Sequence, residues 1–145
     1  MSGGIIMIKK FISIKGVGKY KNFNAKDMKI GTIFDKLNVI YANNGSGKTT
    51  LTAIFKSLQT GNSKIIISRK TIGYHGEQEI SILGDSRHDF KNNTWNTTLD
   101  NLEIFDTFFI NDNIFSGLEV SLDHKKKLHQ FIIGEKGVQL AESIK

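Results

Sequence analysis

The residues able to do chemistry lie close together, in Ala42-Asn43-Asn44-Gly45-Ser46-Gly47-Lys48-Thr49. The pattern G-x-x-x-x-G-K-[ST], the Walker A loop that cradles phosphates, is met at every fixed position but the first, where alanine replaces glycine. Such a loop must turn successive backbone N–H groups inward toward phosphate oxygens. Glycine at positions 45 and 47 permits both the required dihedrals and the close approach. A helix starting near Lys48 would add the positive end of its dipole. In this reading Asn43, Asn44, Gly45, Ser46 and Gly47 form the cradle, and Lys48 reaches the β- and γ-phosphates. Thr49 coordinates Mg²⁺ and Thr50 offers a hydroxyl to the α-phosphate, so ATP and Mg²⁺ are the expected cofactors. Ala42 is compatible with the wrap provided its φ is negative, because its Cβ is the smallest available.

Other constellations are weaker. A Walker B motif needs an apolar strand, a metal-binding Asp and an adjacent acid that orients the attacking water. "FFIND" (108–112) lacks the second acid and "LEIFD" (102–106) is interrupted by Glu103, so both read as core strands. "FSGLE" (115–119) does not make a signature loop. His75, His88, His124 and His129 supply no ligand set and read as surface residues; the last two stand five apart, whereas a shared metal on a helix prefers four. Trp95, in "NNTWNTT", reads as a packing anchor on a β-turn. No nucleophile and base can be paired.

The elements that must position the loop are legible around it. "LNVIYA" (37–42) is a short apolar run entering the glycines, as a central strand covered on both faces would be. After it, Leu51, Ile54, Phe55 and Leu58 recur at helical spacing, and Gly61-Asn62 ends the stripe. Upstream, Ile12 and Ile14 alternate with Ser13 and Lys15, as in a half-buried strand, and Gly16 and Gly18 then invite a turn. Downstream, "KIIISRKTI" (64–72), "QEISIL" (78–83) and "LEIFDTFFI" (102–110) read as strands separated by the polar turns "GDSRHD" and "KNNTWN". A helix capped by Asp123 and closed by Gly134 follows, with Leu128, Phe131 and Ile132 on its buried face. A second begins near residue 136 and is still in mid-pattern at Lys145.

Composition bounds the remaining possibilities. The 145 residues suit one domain, with 39% hydrophobic and 10% aromatic content. Without cysteine there is neither disulfide nor thiolate metal site. No apolar run approaches the ~20 residues of a membrane span. Cytoplasmic residence with no membrane partner is therefore expected. The net charge of +6 resides in residues 1–36, where eight lysines face Asp27 and Asp35. Such a segment could meet nucleic acid, although spaced lysines are more often a solvated face.

Together, "LNVIYANNGSGKTTLTAIFKSL", "LEIFDTFFINDNIFSG" and "LDHKKKLHQFIIGEKGVQLAESI" resemble the N-terminal lobe of an AAA-annotated ABC/SMC-type ATPase. Within that group the chain resembles the RloC- and PrrC-type anticodon nucleases and related phage-defence ATPases. The resemblance implies an α/β P-loop NTPase head with a β-rich antiparallel subdomain. It makes residues 1–145 a single partial domain whose coiled coil starts near 136–145. It further implies partners: a C-terminal lobe bearing the Walker B and signature motifs, and a head-to-head dimer of the full protein. Asn111, with Asp112 second, falls where relatives carry the Gln-loop, although neither is glutamine. No nuclease residue can be carried over. Two other classes remain. A small P-loop kinase would need lid arginines, and Arg69 and Arg87 are the only two. A non-catalytic nucleic-acid module would use the basic N-terminal segment.

Overall fold

The computed structural model describes residues 7–25, 33–107 and 109–110. The chain divides into two units, Met1–Glu103 and Ile104–Lys145. The first holds a five-stranded sheet of order β2-β1-β3-β4-β5, in which every pairing is antiparallel. Its strands are β1 (Ile8–Val17), β2 (Tyr20–Asn24), β3 (Glu79–Gly84), β4 (Arg87–Lys91) and β5 (Thr94–Trp95). Two helices intervene between β2 and β3: α1 (Lys48–Thr60) and α2 (Lys64–Ile67).

Strand β3 is the middle of the sheet, and Ile80, Ser81 and Ile82 are all buried, so both its faces are covered. β1 departs from simple alternation. Its register against β3 slips by one residue between Ile8 and Lys10 and again between Phe11 and Ser13. Each slip is a bulge that puts two residues of β1 opposite one of β3. The buried side chains of β1 therefore fall at Ile8, Phe11 and Ile14, three apart instead of two. The expected pairing of Ile12 with Ile14 on one buried face is corrected accordingly: Ile12 is only partly buried.

The turns at "GDSRHD" and "KNNTWN" join β3 to β4 and β4 to β5. The second uses Asn92 and Asn93 at φ 50° and 60°, the left-handed region that asparagine tolerates in tight hairpins. α1 runs as the apolar stripe predicts and ends at Gly61, φ 68°. Its buried face comprises Thr50, Ala53, Ile54, Phe55, Ser57 and Leu58, with Leu51 at the margin. Phe55 meets Phe11 of β1 at 5.1 Å between ring centroids and Phe34 at 5.9 Å. Near its other end, Ser57 accepts the Trp95 indole N–H at 2.9 Å. Helix and sheet thus share one core, and Trp95 is the packing anchor that its sequence context suggests.

Three segments expected as strands are not. In "KIIISRKTI", Lys64–Ile67 forms α2, and the rest is turn apart from a single bridge of Lys70 to Val17. The Asn62 side chain accepts the Lys64 N–H and the Arg69 guanidinium donates to Ile65 O, so local capping satisfies this backbone before a sheet could. In "LEIFDTFFI", residues 102–105 have no regular structure. Asp106 then starts a helical turn, its carboxylate accepting the Phe109 N–H at 2.9 Å. "LNVIYA" is likewise irregular, with Leu37, Val39 and Tyr41 86%, 90% and 94% exposed. Just before it, Asp35 and Asn38 close a local turn through Asp35 N–H to Asn38 Oδ1 at 2.9 Å and Asn38 Nδ2 to Asp35 O at 2.6 Å. Among the described residues no strand lies beside this run, and without one its backbone has no ladder to join. Of the expected α/β fold, the described residues show an antiparallel sheet, α1 and α2. The helices expected after Asp123 and near 136 lie outside the described residues.

Candidate functional site

The glycine loop is built from local forces. Ser46 N–H donates to Asn43 O at 3.2 Å, folding the loop back on itself. Gly45 and Gly47 take φ of 77° and 102°, which explains glycine at both positions. Ala42 is not among the residues of positive φ, so the missing first glycine costs the backbone nothing. Gly47 is the N-cap of α1, and the N–H groups of Thr50 and Leu51 both bond to its carbonyl, at 3.0 and 3.1 Å. No side chain caps this end and no acidic residue occupies the first turn. Helix geometry leaves the N–H groups of Lys48 and Thr49 without an intrahelical acceptor. The result is a concentration of positive partial charge at the mouth of the loop.

Lys48 completes it. Its Nζ donates to Ala42 O and, at 3.0 Å, to Asn43 O. The ammonium thus lies across the loop, holding its start to the helix. A cleft of about 430 Å³ opens beside it, lined by Ile40, Tyr41, Ala42, Asn43, Asn44 and Lys48. Asn43, Asn44, Gly45, Ser46 and Thr49 are exposed. Nothing lies within 4 Å of the position a Cβ would take on Gly45. Open space, bare N–H groups and an ammonium group beside them fit a polyphosphate. Thr49, exposed at the start of α1, is the residue that would offer a hydroxyl oxygen to Mg²⁺. Among the described residues no cluster of three or more His, Asp or Glu side chains could hold a metal.

Thr50 is placed differently from its neighbours. It is buried, and its side chain lies against Gly18 in the turn between β1 and β2, so closely that any Cβ on Gly18 would overlap it. From the start of β2, directly after that turn, the Tyr20 ring reaches Gly47, with Cε2 and Oη each 3.0 Å from where a Cβ on Gly47 would stand. Burial pushes the Tyr20 phenol above its ordinary pKa. Sequence reading missed these contacts. The only hint was a pair of glycines, Gly16 and Gly18, followed at once by an aromatic residue.

Asn111 and Asp112 lie outside the described residues, as do His124 and His129. His75 is exposed, but His88 is 1% exposed, which corrects its reading as a surface residue. Its imidazole sits on β4 between the hydroxyls of Ser86 and Thr97, 3.5 and 3.3 Å away, and burial lowers its pKa. It belongs to the core. Two of the N-terminal lysines are engaged in ion pairs, Lys9 with Asp85 at 3.3 Å and Lys15 with Glu79 at 2.8 Å. Among the described residues no helix is long and apolar enough to cross a membrane.

The fold thus presents a glycine loop, an uncapped helix start and a lysine on an antiparallel sheet, the parts of a nucleotide-binding domain. The chain belongs to the AAA domain family, whose description matches it over residues 16–145. Membership makes it an ATPase-like, nucleotide-binding domain of the P-loop class, for which nucleotide and Mg²⁺ are the general cofactors. No curated protein and no solved structure matches the chain.

Proposed function

We propose that this chain is the ATP-binding lobe of an SMC/ABC-like ATPase head, which grips Mg-nucleotide and depends on a second lobe for hydrolysis. The carrying observation is the loop at 42–49, where Lys48 lies over the open, uncapped start of α1. On binding, Lys48 exchanges two carbonyl acceptors for phosphate oxygens, a stronger charge-assisted pairing. The N–H groups of Gly45, Gly47, Lys48 and Thr49 provide the remaining donors, and Thr49 offers its hydroxyl to Mg²⁺. Bound Mg²⁺ would neutralise phosphate charge; the protein's part is to hold and orient.

The exposed run Leu37, Val39, Ile40 and Tyr41 supports the need for a second lobe. It leads directly into the loop, and strands added beside it would convert an exposed apolar segment into a covered one. In this reading that lobe brings the Walker B acid and the signature loop, Asn111 takes the Gln-loop position, and two heads engage around nucleotide. The sequence resemblance to RloC- and PrrC-type and phage-defence ATPases supports a nucleic-acid-directed role for the whole protein. The ion pairs of Lys9 and Lys15 count against a free-standing nucleic-acid module, since they occupy two of its basic groups.

Titration of the 145-residue chain with Mg-ATP tests the reading. Weak binding is expected, reduced by about tenfold or more (about 1.4 kcal/mol) in Lys48→Ala, with negligible turnover by either protein. Steady turnover by the chain that Lys48→Ala abolishes would show that no second lobe is required. Binding indifferent to Lys48 would remove the site itself.

A further inference from the structure

The β1–β2 turn, with the first residue of β2, touches the glycine loop at Gly47 and the first turn of α1 at Thr50, and the fold fastens that turn from behind. Tyr20 meets Gly47, and Gly18 meets Thr50. Residues 69–71 form a strap beneath. Gly18 N–H donates to Arg69 O at 2.6 Å, the Thr71 hydroxyl to Gly18 O at 2.9 Å, and Thr71 N–H to Gly16 O at 2.9 Å. Val17 and Lys70 pair as a β-bridge at the same place. Behind Tyr20, Phe23 stands edge-on at 6.1 Å between ring centroids. The contacts are specific in size. Gly18, at φ 54°, has no room for a side chain, and Gly47 must also be bare for the Tyr20 ring to approach.

Gly47 is the residue on which the loop depends. Its φ of 102° directs the chain from the loop into α1, and its carbonyl accepts the first two intrahelical hydrogen bonds, from the N–H groups of Thr50 and Leu51. Glycine alone has no preference that would hold it there. A ring pressed against its bare face limits the other conformations it can take. Thr50, one turn into the helix, is held in the same way by the backbone of Gly18.

We propose that the β1–β2 turn is the positioning element of the nucleotide site, with Tyr20 setting Gly47 and Gly18 seating Thr50, so that the loop is preorganised before phosphate arrives. Tyr20 acts through Gly47, and is a positioning residue in that sense. It does not line the cleft beside Lys48, whose walls come from residues 40–44 and Lys48 itself. The proposal rests on the reading of the loop as a phosphate grip. It adds that a segment some thirty residues upstream sets how well the grip is formed.

The test measures amide hydrogen exchange at Gly45–Lys48 and calorimetric binding of Mg-ATP and of inorganic tripolyphosphate, in wild type, Tyr20→Phe, Tyr20→Ala and Lys48→Ala. In Tyr20→Ala, exchange at the loop should rise while the amides of β3 stay protected. Both ligands should weaken by the same factor, about tenfold, as lost preorganisation predicts. Tyr20→Phe keeps the ring and should restore both readouts. A loss confined to ATP, with tripolyphosphate unaffected, would make Tyr20 a nucleoside contact and overturn the proposal. Unchanged exchange and affinity in folded Tyr20→Ala would overturn it too, while sensitivity to Lys48→Ala would leave the phosphate grip standing. Conversely, if wild type binds neither ligand, the grip fails, and the exchange data alone judge the positioning. Should Tyr20→Ala not fold, nuclear Overhauser contacts between the Tyr20 ring and Gly47 Hα in wild type decide: their absence refutes the arrangement and their presence supports it.

Discussion

His88 shows how one residue can tie this domain to pH. The imidazole is buried on β4 with the hydroxyls of Ser86 and Thr97 near its nitrogens, and burial outweighs the pull of Asp89 and of the Thr97 backbone toward protonation, so its pKa is lowered. In the unfolded chain the same ring takes a proton near its ordinary value of 6.5. Between the lowered and ordinary values the unfolded state therefore binds more protons, and stability rises with pH. The contribution of His88 is complete above about pH 6.5 and is lost as pH falls toward the lowered value. Urea unfolding between pH 7.5 and 5.5 should show a decline of at most about 1.4 kcal/mol per pH unit, the slope for one proton. His88→Gln should flatten it. An equal slope in the variant would mean that another group titrates. The residue's type gave no warning of this, because burial of a histidine depends on which strand faces cover it. At the loop the residue scale was more legible: Gly45 and Gly47 take the positive φ that their spacing demands, and Ala42 is harmless because its φ is not positive.

Between elements, the most consequential polar link joins α1 to the end of the sheet. Trp95 Nε1–H donates to Ser57 Oγ, and the Ser57 hydroxyl donates to Asn62 O at 2.9 Å, just past the helix end. Both side chains are buried, and the Leu99 N–H adds a bond to Leu58 O at 3.2 Å. Ser57→Ala leaves a buried indole N–H and a backbone carbonyl without this partner. It should cost about 1–3 kcal/mol in denaturant unfolding, the usual penalty of an unsatisfied buried group. A loss below a few tenths would mean that water replaces the hydroxyl. Which elements could be read ahead follows the same division. α1 was legible because its stripe, its glycine stop and its hydrogen bonds are contained within thirteen residues. "KIIISRKTI" and "LEIFDTFFI" were misread because their Ile and Phe content suits strands, while short-range caps from Asn62 and Asp106 chose helical turns.

At the scale of the molecule, apolar surface is unevenly covered. The sheet and α1 enclose a core, yet Leu37, Val39 and Tyr41 are exposed in the run that leads into the cleft beside Lys48. Exposed apolar runs of this kind bind apolar probes and promote association. Val39→Lys should reduce anilinonaphthalene sulfonate fluorescence of the purified chain and its concentration-dependent association in sedimentation, with Tm unchanged. A large fall in Tm would show that Val39 is already packed in solution.

The sequence by itself determined the glycine loop, the helix after it and the hairpin turns, because each is decided by backbone preferences and hydrogen bonds among near neighbours. Only the tertiary structure decided the rest. It placed two bulges in β1, buried His88, left residues 37–42 without a strand partner among the described residues and brought Tyr20 against Gly47. Those outcomes depend on partners far along the chain. A strand is stable only beside another strand, and a glycine's freedom is removed only by what the fold presses against it.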